Sequence, residues 1–259
     1  MVNKSKVFEE FFYKEDNRIV DIEELVEHIE KDKKDINRYK GKMFCPECKF
    51  AELTYVNQTT IRRAHLKKIP SSKHSENCSY NYEYVHKKVL IEYIENLNYN
   101  QIQDKLNAIM NMLFVNENNK SKVNNKCIKS SEELINPNLI IDKTENHRNL
   151  KAIRRKKLKG WIDKSYETDL YLFYGEVKLS VEEKFSKNNK NFKFYILTLY
   201  TKNKLGEWKF RATVYRHNTE DKIKEESIYY IVLMGRLNFD YNYPRIDLIN
   251  KNAIKYELI

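Results

Sequence analysis

Three of the chain's four cysteines and one histidine fall into two short pairs, Cys45-Pro46-Glu47-Cys48 and His74-Ser75-Glu76-Asn77-Cys78. No other feature constrains folding as much. A two-residue gap lets both sulfurs of a tight knuckle face one ion. A three-residue gap sets His74 and Cys78 on one face of a helix, where they complete a tetrahedron. With all four ligands supplied by protein, no coordination position stays open for a reacting water. The expected group is therefore a structural Zn²⁺ held by Cys45, Cys48, His74 and Cys78. His65 is the rival fourth ligand, and Cys127, alone in a polar stretch, reads as a free thiol.

Between the ligand pairs, Ala51 to Val56 alternates like a strand, Asn57 to Thr60 reads as a turn, and Ile61 to Leu66 returns as a second strand. After Cys78, Val85, Val89, Tyr93 and Leu97 recur about once per helical turn. Knuckle, hairpin, and ligands at a helix start form an order that resembles treble-clef zinc fingers, within about residues 40–98. The Cys-Pro-x-Cys and His/Cys arrangement also resembles, faintly, the zinc segment of CoiA-type competence proteins. The His-Phe-Ala-His tract of that family is missing, so no activity carries over.

Other N-terminal readings are helical. Residues 4–14 suggest a short amphipathic helix. Asp21 reads as an N-cap with Glu24 at the reciprocal position, and Ile102, Leu106, Ile109, Met110 and Leu113 form a core stripe on a later helix. The expected organisation is α+β: a helical module over residues 1–114 containing the zinc finger, a polar linker over 115–147, and a basic segment plus β-barrel over 148–259.

The final hundred residues have strand texture. Leu170 to Val181, Phe192 to Thr201, Glu207 to Arg216, Ile228 to Leu237, and Arg245 to Ile249 continued by Ala253 to Leu258 read as five strands. Thr219 to Ser227 reads as a short helix after the third. That element order resembles an OB-fold, with Gly175 and Gly235 placed where a small barrel bends. In such barrels the outer face of the second and third strands takes single-stranded nucleic acid, cations following phosphates and rings stacking on bases. Alternation puts Lys193, Tyr195, Lys209, Arg211 and Tyr215 on that face, with Trp208, Phe210, Ala212 and Val214 inside.

The net charge of +11 is uneven, with 13 Lys/Arg against 6 Asp/Glu over residues 101–160. Arg148 to Lys159 carries seven cations and no acid, including Arg154, Arg155, Lys156 and Lys157, and Trp161 follows. Such a run supplies several phosphate contacts at once. The expected function is non-enzymatic binding of single-stranded DNA or RNA, with the zinc module available to a protein partner and no membrane association. The alternatives are a protein–protein adaptor and a metal-dependent nuclease built on Asp169, Glu176 and Lys178, whose spacing fits a two-carboxylate-and-lysine site poorly. No signal-peptide core or long apolar run is present, and a zinc–thiolate site suits a reducing compartment, so the expected location is cytoplasmic.

Overall fold

The computed structural model describes residues 6–31, 36–115, 139–142, 150–159, 162, 164–186, 192–240 and 243–259. The chain divides into two compact units, residues 1–83 with 125–152, and residues 84–124 with 153–259. This boundary lies just past Cys78, so the two helices after the Cys/His pairs belong with the barrel. None of the helices, among the described residues, is long and apolar enough to cross a membrane.

The first unit is mostly strand, which corrects the expectation of a helical module. Its elements are β1 (Val7–Phe8), β2 (Glu10–Tyr13), β3 (Arg18–Asp21), α1 (Ile22–Lys31), β4 (Met43–Phe44), β5 (Leu53–Val56), β6 (His65–Lys68), β7 (Ile140–Asp142) and β8 (Leu150–Ala152). Residues 7–13 satisfy a helical stripe and a strand equally well on paper. Their aromatic and β-branched side chains favour the strand, and pairing with β3, β4 and β6 settles it. Helix α1 starts after Asp21 as expected, but Glu24 accepts hydrogen bonds from Arg18, one of them 3.0 Å from Nη1. The expected linker holds β7, whose Ile140 and Ile141 are buried. Phe8, Phe11, Tyr13, Leu25, Met43, Leu53 and Leu66 form one core together with Cys45 and Cys78.

In the second unit, α2 (Lys87–Glu95) buries Leu90 and Ile94, one residue off the expected Val89 and Tyr93 stripe. Helix α3 (Tyr99–Met110) opens on an Asn98–Gln101 capping box and buries Ile102, Leu106, Ile109 and Met110, as expected. The strands are β9 (Arg155–Lys157), β10 (Tyr171–Phe185), β11 (Lys193–Lys202), β12 (Trp208–Tyr215), β13 (Ile228–Asn238), β14 (Arg245–Leu248) and β15 (Ile254–Leu258). Five of them close a barrel in the order β10-β11-β12-β14-β13, with β13 returning to β10; the β12–β14 pairing is parallel and the rest antiparallel. Strands β14 and β15 run along the same edge of β13, as the expected continuation requires. Phe173, Val177, Leu197, Leu199, Ala212, Val214, Ile231, Leu233 and Ile246 fill the interior.

The expected helix over residues 219–227 is not formed. Asp221 explains why: its carboxylate is buried and takes two hydrogen bonds from the Arg216 guanidinium, at 2.6 and 3.0 Å, and one from the Tyr256 hydroxyl at 3.2 Å. This clamp holds the segment irregular. Gly235 is required by close approach, since a Cβ there would lie 2.5 Å from the Asp247 carbonyl oxygen.

Candidate functional site

The cysteine knuckle grows out of β4. The Cys45 N–H donates to the Ala51 carbonyl (2.7 Å) and the Lys49 N–H to the Cys45 carbonyl (3.0 Å), while Lys49 takes φ of 58° to close the turn. Strands β5 and β6 form the hairpin between the ligand pairs. His74 and Cys78 are not on an α-helix, contrary to expectation: His74 lies in an extended loop and Cys78 caps a 3₁₀ turn over Ser79–Asn81. Glu47, inside the knuckle, accepts from both the Ser79 N–H and hydroxyl at 2.6 Å, so one carboxylate ties the two pairs together.

The ligand atoms of Cys45, Cys48, His74 and Cys78 all lie within 4.8 Å of one another. Cys45 Sγ is 3.7 Å from Cys78 Sγ, and His74 Nδ1 is 3.5 Å from Cys48 Sγ and 3.4 Å from Cys78 Sγ. An ion with sulfur bonds of about 2.3 Å and nitrogen bonds of about 2.0–2.1 Å has tetrahedral edges of about 3.8 Å (S–S) and about 3.5 Å (S–N). These three edges agree with those values, so the group can hold a metal ion. His65 sits on β6, with Nδ1 3.0 Å from the Arg63 carbonyl, outside the group. Phe8 and Tyr80 stack on the His74 ring.

Hydrogen bonds from Cys45 and Cys78 pull the Cys48 thiol far below its ordinary range. Burial pushes Cys45 up to about 12, and hydrogen bonding to Cys45 and Cys48 raises Cys78 further. One thiolate forms readily while the other two wait for a positive charge to displace their protons.

The basic segment is part of the sheet and not a solvated tail. Strand β9 adds to β10 in parallel, matching Arg155, Lys156 and Lys157 with Leu172, Phe173 and Tyr174. Lys156 is buried, with Nζ 4.6 Å from the Tyr166 ring centroid. Arg154 lies over Tyr84 at 4.4 Å, its Nε 3.5 Å from Asp169. Trp161 and Arg148 fall outside the described residues.

The barrel face differs from the expected one at two points, the first being which side of β11 is inside. Tyr195 points inward, buried, and its hydroxyl donates to Glu183 at 2.9 Å. Lys193 stays exposed and pairs with Glu183 at 3.2 Å. The larger change is a register shift at Leu199/Tyr200: Ala212 pairs with Leu199 and Phe210 with Tyr200, leaving Arg211 as the extra residue. Such a bulge reverses the facing of everything beyond it. Trp208 and Phe210, expected inside, therefore share the outer side with Tyr200 and Lys202. Lys209 is moved to the other side, opposite buried Thr201 and paired with Glu207 at 3.1 Å. Arg211 donates through Nε to Thr201 Oγ1 at 2.9 Å.

The result is an aromatic and cationic outer patch that sequence reading missed. Phe210 lies edge-on to Tyr200 (6.5 Å) and to Tyr243 (6.0 Å), with Phe210 and Tyr243 exposed. Lys178 and Lys202 hold Nζ 5.6 and 5.3 Å from the Trp208 ring. Tyr215 remains on the outer face, against Phe194 and His217. Lys178 also pairs with Glu226, and among the described residues neither Asp169 nor Glu176 joins a group able to hold a metal ion.

No protein-family model, no curated protein and no solved structure matches this chain.

Proposed function

We propose that the chain is a non-enzymatic, zinc-stapled protein that binds single-stranded nucleic acid on the outer face of an OB-like barrel. The observation that carries this reading is the bulge at Arg211. It turns Trp208 and Phe210 out of the core, beside Tyr200, Tyr243, Lys178 and Lys202. Leaving one such ring unburied forgoes about 1.5–3 kcal/mol of transfer free energy. A base stacked on it returns about 1–3 kcal/mol, with lysines placed to meet the phosphates. Tyr215 borders this face, Lys209 and Arg211 lie with Thr201 on the other side, and Arg154, Arg155 and Lys157 add positive charge along β10.

The Cys₃His group is assigned Zn²⁺ because three thiolates and an imidazole are its usual closed, structural donor set. Knuckle and hairpin resemble a treble clef in order, with a 3₁₀ turn in place of the helix start. A zinc–thiolate centre also fits a reducing compartment such as the cytoplasm.

Fluorescence polarisation with labelled single-stranded DNA, duplex DNA and single-stranded RNA, at two salt concentrations with and without Mg²⁺, tests the reading. Salt-sensitive binding that favours single strands, with the probe left intact, is the expected result. Mg²⁺-dependent shortening of the probe establishes a nuclease instead, and no binding at either salt concentration leaves the adaptor reading.

A further inference from the structure

The hairpin of the first unit has an apex that neither its turn nor its core explains. Strand β5 ends at Val56 and β6 begins at His65, joined by an eight-residue loop whose first seven residues are exposed. The loop is braced from within: the Thr59 N–H donates to the Arg62 carbonyl (2.7 Å), and the Arg62 N–H returns to Thr59 Oγ1 (3.1 Å). At the apex stands Ile61, 95% exposed. Turn positions select Gly, Pro, Asn, Asp and Ser for backbone reasons, and a β-branched apolar residue meets none of them.

Charge indicates what the apex meets. Between Glu52 and Glu76 the chain has five cations, Arg62, Arg63, Lys67, Lys68 and Lys73, and no acid. Lys68 is occupied at the hairpin base, where Nζ donates to the carbonyls of Ile69 and Ser72. Arg62, Arg63 and Lys67 are exposed on the hairpin itself. Two arginines next to an exposed isoleucine on a hydrogen-bonded turn form the arrangement by which proteins grip phosphates while an apolar wedge enters a base step.

We infer that the Asn57–Ala64 hairpin tip is a second nucleic-acid contact, with Ile61 as the wedge into duplex DNA and Arg62 and Arg63 on the flanking phosphates. This site stands on its own residues and does not depend on the barrel face. The test uses the full chain, zinc-loaded, with a duplex carrying 2-aminopurine at a central step.

Binding of wild type should raise the 2-aminopurine fluorescence as the step unstacks. Ile61→Ala should abolish that rise and weaken duplex binding about tenfold, leaving the salt slope unchanged. Arg62→Ala/Arg63→Ala should lower the salt slope by about 1.8, at about 0.9 per lost phosphate contact, and Arg62→Lys/Arg63→Lys should restore it. These variants alter exposed positions, and equal zinc content and melting temperature confirm that each is folded. If both loss variants bind the duplex as wild type does, or if wild type leaves 2-aminopurine dark, the inference is overturned. Arginine-dependent binding to phosphatidylserine vesicles without duplex binding would overturn it in favour of a membrane surface. Loss of single-strand binding in Phe210→Ala with duplex unstacking intact separates this site from the barrel.

Discussion

Removing the proposed zinc ion should unfold one unit and spare the other. Cys45 and Cys78 are core residues of the first unit, 0% and 1% exposed, packed with Phe8, Phe11, Leu53 and Leu66. Binding to a closed structural site is worth about 10–16 kcal/mol at neutral pH in small zinc modules. Whole domains are typically stable by about 5–15 kcal/mol. The remaining elements are small: two-residue strands β1 and β4, three-residue strands β7 and β8, four-residue strands β2, β3, β5 and β6, and one ten-residue helix. Loss of the ion therefore removes stabilisation comparable to the whole.

Hydrogen exchange reads both units in one sample, and Trp208 on β12 reports on the barrel unit. After chelation, or in Cys78→Ser, amides over residues 43–83 should exchange at near-unfolded rates while tryptophan emission and barrel protection persist. Unchanged protection over 43–83 in a chelated, metal-free sample would refute the argument. So would protein purified without metal whose hairpin is already fully protected.

Three further outcomes follow from the barrel. Phe210→Ala should weaken single-strand binding by about 1–3 kcal/mol with little change in salt slope, whereas Tyr195→Phe, altering an inward hydroxyl, should leave affinity unchanged by polarisation. Asp221→Ala leaves the buried Arg216 guanidinium, among the described residues, with the Lys251 carbonyl at 3.0 Å, and should cost about 3–5 kcal/mol in urea denaturation. Gly235→Ala drives a methyl into the Asp247 carbonyl and should lower the melting temperature more than Gly175→Ala, whose nearest neighbour is the Leu158 side chain at 3.3 Å.

Local patterns account for much of this protein. Ligand spacing pointed to Cys45, Cys48, His74 and Cys78 with His65 as the rival, because donors a few residues apart can face one ion in many folds, and the structure brings His74 into the group. The barrel strands were legible too, since glycine- and asparagine-rich turns and two-residue alternation are written locally. Helix α3 was readable for the same reason, from its apolar stripe and the Asn98 cap.

Tertiary structure decided what depends on distant partners. Residues 7–13 suit helix or strand, and the waiting edges of β3, β4 and β6 chose strand. Asp221 lost its expected helix to Arg216 and Tyr256, one partner arriving from β15. The face of β12 turned on one residue: the extra Arg211 exists only relative to β11, so no reading of β12 alone could reveal it. That bulge exposes Phe210 and turns half-buried Trp208 to the outer side, the surface on which the proposed function rests. Side-chain parity along a strand is local, but register is a property of two strands at once.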